Sequence, residues 1–227
     1  ELLAREWERE DSAMLKIERA LIDANWGSST DVVYQFCRQC SWAGVVYPAH
    51  GRYVGASSKP MTEYRKQPGD RLGFNWMMPN VAGKRAIRHV IFDSNFWKSF
   101  VHARLAVPMG DKGCLSLYGR HPQLHQLLAE HLTAEYRVKT IGRGRTVDEW
   151  KIRPDRNDNH WLDCLAGCAV CGSMLGATLP EFGIATTRKR KSVQVKLSDM
   201  RKLGDSVTAA RPPERKIRLS ELRNKKK

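Results

Sequence analysis

A chain of 227 residues that is 41% hydrophobic and 8% aromatic can bury one sizeable core or two small ones, and reads as a soluble globular domain. No apolar run approaches the roughly 20 residues a membrane helix needs, so no membrane role is expected; the opening ELLAREWERE has neither a signal-peptide core nor an initiator Met, as in a piece of a longer intracellular protein. The net charge of +15 is uneven: from Arg188 to Lys227 stand 15 Lys/Arg against four Asp/Glu, a surplus of 11 that leaves +4 for everything before, so this run either contacts phosphates or is a solvated extension.

In chain order, residues 1–14 read as a short charged helix. The apolar run in IERALIDANWG reads as a strand ending at Asp23, followed by a turn with Gly27 and the capping candidates Ser28, Ser29 and Thr30. Val32, Val33 and Phe36 recur at helical spacing, so TDVVYQFCRQ is a helix, and AGVVYPAHG is a second strand, broken by Pro48 and Gly51. Residues 52–70, rich in Gly, Ser, Lys and Pro, form a long functional loop. LGFNWMM and IRHVIFD are strands, SNFWKSFVHARLAV a helix, CLSLYG a strand and HPQLHQLLAEHLTAE a helix. YRVKTIG and TVDEWKIR make a hairpin around Arg143-Gly144-Arg145, and a last helix ends near Gly176. Strands and helices alternate without an internal repeat, which predicts a mixed α/β sheet flanked by helices.

Chemistry concentrates in RNDNHWLDCLAGCAVC, residues 156–171, where Asp158 or Asn159 is a natural N-cap for the last helix. Capping leaves Asp163 unexplained. His160 and Asp163 are three apart and share a helix face, where imidazole and carboxylate either hold one metal ion or act on one substrate. Asp23, at the carboxyl end of a buried strand, is either a ligand-binding group, as at that end of open α/β sheets, or an Asx-turn residue. Carboxylates brought together from distant segments repel unless a cation lies between them, and oxygen ligands with one imidazole suit Mg²⁺ or Mn²⁺. Such a centre beside Arg, Lys and Trp fits phosphodiester hydrolysis. No GxxxxGK[ST] motif occurs, which argues against a P-loop NTPase. Cys37/Cys40 and Cys168/Cys171 have CxxC spacing and are either zinc ligands or small helical hydrophobes.

The order ALIDANWGSSTDVVYQFCRQ, GVVYPAHGR, LTAEYRV and DEWKIRPDRNDNHWLDCLAGCAV resembles the nuclease domain of large terminase subunits, the DNA-packaging motors of tailed phages, in the group similar to the lambda enzyme. The resemblance covers roughly residues 15–178. It implies an RNase H-like fold related to the RuvC resolvases, and cutting of concatemeric double-stranded DNA with two Mg²⁺ or Mn²⁺ ions. His160 and Asp163 match the acid-or-His and Asp pair on that family's final helix, and Asp23 matches its second acidic position; Asp158 and Asn159 would supplement the site. LTAEYRV matches a recurring stretch that reads as packing. The family's first catalytic Asp lies on an opening strand for which residues 1–14 offer no counterpart, so either that strand lies upstream of Glu1, after an ATPase domain, or the site is incomplete. The backbone of DNA would be held by the loop with Arg52, Lys59, Arg65 and Lys66, by Arg143 and Arg145, and by Arg188, Lys189, Arg190 and Lys191; Trp26 and Trp161 read as packing groups. Partners implied are the terminase small subunit and the capsid portal, in the host cytoplasm.

The division expected is therefore 1–14 as a linking helix, 15–178 as the nuclease and 179–227 as a basic tail. Two other readings stand beside it: a resolvase or other RNase H-like nuclease, and a non-catalytic DNA-binding or docking module.

Overall fold

The computed structural model describes residues 1–177, apart from 10, 26, 82–86, 120 and 157. Its centre is a five-stranded mixed sheet. Strands β3 (Ala20–Asp23), β4 (Val46–Arg52) and β7 (Val90–Asp93) run parallel, and β6 (Trp76–Met78) and β5 (Arg71–Gly73) continue the sheet antiparallel, in the order β3-β4-β7-β6-β5. Parallel neighbours need a crossover, and α1 (Thr30–Gln39) supplies the one between β3 and β4. Helix α2 (Ser94–Leu105) leaves β7 directly: the Asp93 carboxylate accepts the Phe96 N–H at 3.1 Å and caps it. After α3 (Gln126–Leu132), β8 (Glu135–Gly142) and β9 (Arg145–Ile152) form a separate hairpin, and α4 (His160–Met174) follows.

One face of the sheet carries the main core. Leu21, Tyr47, Ala49, Val90, Phe92, Trp76 and Met78 pack there against Trp97 of α2 and Ala166 and Val170 of α4. A second cluster, Val101, Leu132, Trp150 and Leu162, ties α2, α3, β9 and α4 together. Along α4 the buried residues Leu162, Ala166 and Val170 recur every fourth position, so one stripe is apolar while Asp163 and Cys164 are left in solvent. The Trp76 indole N–H reaches Ser173 Oγ at 3.0 Å and fixes the far end of α4 to β6.

Several sequence expectations give way here. Residues 1–14 form no long helix: after one 3₁₀ turn at Leu2–Ala4, β1 (Glu6–Glu8) pairs with β2 (Met14–Lys16). The Asp11 carboxylate accepts the Ala13 N–H at 3.3 Å and grips Arg9, a local turn that wins where no apolar stripe rewards a helix. Strand β4 runs unbroken through Pro48 and Gly51. The Ala20 and Ala24 N–H groups donate to Val45 and Ala49 carbonyls, so Pro48 turns its missing N–H toward β7, whose ladder with β4 begins only at Ala49. LGFNWMM folds as the β5–β6 hairpin, with Asn75 at φ +51° in its turn. CLSLYG forms no strand; the Leu115 N–H caps the end of α2 on the Arg104 carbonyl and its side chain joins the second cluster. The long loop after β4 is held down by its own buried residues Val54, Ala56 and Met61. Among the described residues, no helix is long and apolar enough to cross a membrane.

Candidate active site

Strand alternation decides which side of the sheet Asp23 faces. Leu21 points into the α2/α4 core, so Asp23, two residues on, lies on that same face, at the carboxyl end of β3. It is exposed, and its Oδ1 accepts the Asn25 N–H at 3.0 Å. The Asx-turn and the ligand-binding readings thus coexist: one oxygen fixes the carboxylate. Asn25 is held in turn, donating from Nδ2 to the Gly51 carbonyl at 3.0 Å and bonding His50 Nδ1 at 2.9 Å; His50 Nε2 meets the Tyr34 hydroxyl at 2.9 Å. This Asn25–His50–Tyr34 chain lies beyond what pattern reading could find, because its members come from three elements.

The first turn of α4 brings Asp163 to the same end. Burial raises the pKa of the Cys164 thiol, and the negative charges of Asp163 and then Asp23 raise it further. The charges of both carboxylates are thus felt at Cys164. Asp163 is half-exposed, and its Oδ1 lies 2.8 Å from the Lys98 ammonium, which is buried on α2 and also contacts Glu135 Oε1 at 2.5 Å. Glu135, from the stretch read as packing, is itself buried, at 5% side-chain exposure. Asn159 stands at the N-cap position of α4, but its side chain makes no capping bond and donates to Glu135 instead.

His160 takes another direction. It is exposed, with Nε2 3.8 Å from Asp158 Oδ1 and its ring 6.3 Å from that of His131. Asp158 lines a cleft of about 390 Å³ with Leu127, Glu130, His131, Asp155 and Arg156. Trp161, 41% exposed, stacks on His131 at 4.8 Å rather than filling the core; Trp26 lies outside the described residues. Among the described residues, no group of three or more His, Cys, Asp and Glu side chains is gathered closely enough to hold an ion. Each CxxC pair puts one thiol in the core: Cys37 and Cys171 are buried, which pushes their thiols up to about 11 and about 12, while Cys40 is partly exposed and Cys168 exposed.

The basic candidates separate by exposure. Arg52, Lys59, Arg65 and Lys66 lie in solvent on and after β4, and Arg143 stands exposed at the hairpin tip, 3.5 Å from Glu63. Arg145 differs: its guanidinium donates to the carbonyls of Gly55 at 2.9 Å, Ala56 at 3.4 Å and Ser58 at 2.5 Å, so it fastens the loop instead of facing outward. Arg188, Lys189, Arg190 and Lys191 lie outside the described residues.

No curated protein and no solved structure matches the chain. The family described as terminase large subunit gpA, endonuclease domain, matches residues 1–181, and the mixed sheet flanked by helices is consistent with an RNase H-like nuclease domain. On that match, which spans most of its length, the chain belongs to the endonuclease-domain family of the terminase large subunit.

Proposed function

We propose that this domain cuts concatemeric double-stranded DNA by metal-assisted phosphodiester hydrolysis, with Asp23 and Asp163 as the catalytic carboxylates. The observation that carries the reading is that Asp23 ends β3 on the sheet face packed by α4, whose first turn carries the exposed Asp163. Mg²⁺ commonly takes only one or two protein carboxylates and completes its shell with waters and substrate phosphates, so this pair fits one such ion. A second ion would need ligands that the described residues do not gather. When bound, the ion supplies Lewis acidity toward the phosphate and acidifies the attacking water.

The protein's own part is to hold and orient. The Asn25 N–H fixes one oxygen of Asp23 and Lys98 fixes one oxygen of Asp163, leaving each carboxylate a second oxygen to direct at the reaction centre. Arg52, Lys59, Arg65, Lys66 and Arg143 would hold the DNA backbone without reading bases, joined by Arg188, Lys189, Arg190 and Lys191. Asp158 and His160, set toward α3, would orient water or a flanking phosphate. The terminase small subunit and the capsid portal are the expected partners.

A substrate panel tests the proposal. Linear duplex, four-way junction and RNA–DNA hybrid are each incubated with the protein in Mg²⁺, in Mn²⁺ and in EDTA. Cutting of the duplex that depends on the divalent ion is expected. Preference for the junction would make the domain a resolvase, and DNA binding of equal strength in Mg²⁺ and EDTA with no cutting would make it a docking module.

A further inference from the structure

We infer that Lys98 and Glu135 are positioning residues for Asp163, a buried ion pair that sets the direction of an exposed catalytic carboxylate; the inference rests on the reading of Asp163 given above. Lys98 lies one residue past the core Trp97, and both members of the pair are nearly closed to solvent, at 9% and 5% side-chain exposure. Taking two charges out of water is costly, and an apolar pair of similar volume usually holds a core at least as well. Packing of α2 against β8 therefore does not call for this pair. Its ammonium is shared with Asp163, which is 52% exposed. A rigid, buried cation thus tethers one oxygen of a carboxylate that faces the site.

Glu135 is in turn fixed from a second side. It accepts from Asn159, whose side chain forgoes the bond it would otherwise make to an orphan N–H at the start of α4. The chain of contacts runs from Asn159 through Glu135 and Lys98 to Asp163, and draws on α2, β8 and α4. Such outer partners of ligating groups typically matter about 10- to 100-fold in metal affinity or activity.

The test is the double variant Lys98→Met/Glu135→Leu in the 227-residue chain. One positive and one negative charge leave together, so the net charge of the chain is unchanged and neither member of the pair is left as a lone buried charge. The readouts are Mn²⁺ affinity by calorimetry without DNA, kcat and KM for plasmid cutting, duplex affinity in EDTA, and thermal unfolding. We expect Mn²⁺ affinity and kcat each to fall by about 10-fold or more, with KM and duplex affinity retained. Lys98→Arg, which keeps the pair, should recover part of the loss. Glu135→Gln, equal in size and still an acceptor, should lose less in the same direction, and it decides the matter if the double variant does not fold. Wild-type Mn²⁺ affinity and kcat in a folded double variant, or in Glu135→Gln, overturn the inference. Wild-type values in Asp163→Asn, or no Mn²⁺ binding by the wild-type chain, overturn the reading beneath it.

Discussion

Asp93 shows how a single side chain couples a cap to pH. Burial pushes its carboxyl up to about 6, against the Phe96 and Asn95 N–H groups and the Arg145 charge, which favour the ionised form. Between the ordinary Asp value of 3.8 and about 6, the folded chain keeps a proton that the unfolded chain has lost. That proton favours folding at low pH, and its contribution disappears as pH rises through about 6. Asn caps as well as Asp and carries no charge, so Asp93→Asn is expected to stabilise the fold by about 1–3 kcal/mol at pH 8 and to be near neutral at pH 4.5. Denaturant titrations at the two pH values check this; an equal effect at both would show that the carboxyl does not titrate in that range. His160 gives a second residue-scale expectation. With its ring directed toward Asp158 and His131, His160→Ala should slow cutting severalfold, far less than Asp163→Asn, in plasmid assays run side by side.

At the scale of elements, the β8–β9 hairpin and the loop after β4 act as one body. Arg145 holds three loop carbonyls, and Glu149 accepts the Ala56 N–H at 2.9 Å and the Tyr53 hydroxyl at 2.8 Å. These bonds keep the Glu149 carboxylate below its usual range, while burial and then the bond to Glu149 push the Tyr53 phenol up to about 12. Gly55 sits where a Cβ would stand 2.6 Å from Glu149 Oε1, so the loop approaches closely only because it has none. Arg145→Ala strips charged donors from half-buried carbonyls and should cost about 1–3 kcal/mol. The exposed Arg65 and Lys66 should then become faster trypsin sites, with the core still resistant. Unchanged cleavage there would mean that the hairpin does not hold the loop.

The whole molecule shows what periodicity can and cannot carry. Helices α1, α2 and α4 and the β8–β9 hairpin were legible because their apolar spacing and turn residues act locally. The unbroken β4 was not, since whether Pro48 harms a strand depends on which neighbour its nitrogen faces. Within the site, spacing brought His160 and Asp163 to one helix, yet three residues of rotation direct them to different partners. Lys98 and Glu135 were hidden in the apolar stretches SNFWKSFV and LTAEYRV; the available signal was a charge inside a buried stripe, which needs a partner. The tail is a whole-chain matter of another kind. Removing residues 188–227 takes away 11 net positive charges, so duplex affinity should fall at low salt and its salt dependence should flatten. An unchanged slope in binding isotherms over several salt concentrations would take the tail out of the DNA contact.

Whether Asp23 and Asp163 together make the reaction centre is decided by comparing the wild-type chain with Asp23→Asn and Asp163→Asn. Mn²⁺ affinity, plasmid cutting and duplex affinity in EDTA are measured on all three. Each substitution is expected to abolish cutting and weaken Mn²⁺ binding while duplex affinity stays the same. Wild-type cutting and Mn²⁺ affinity in either variant would contradict that assignment.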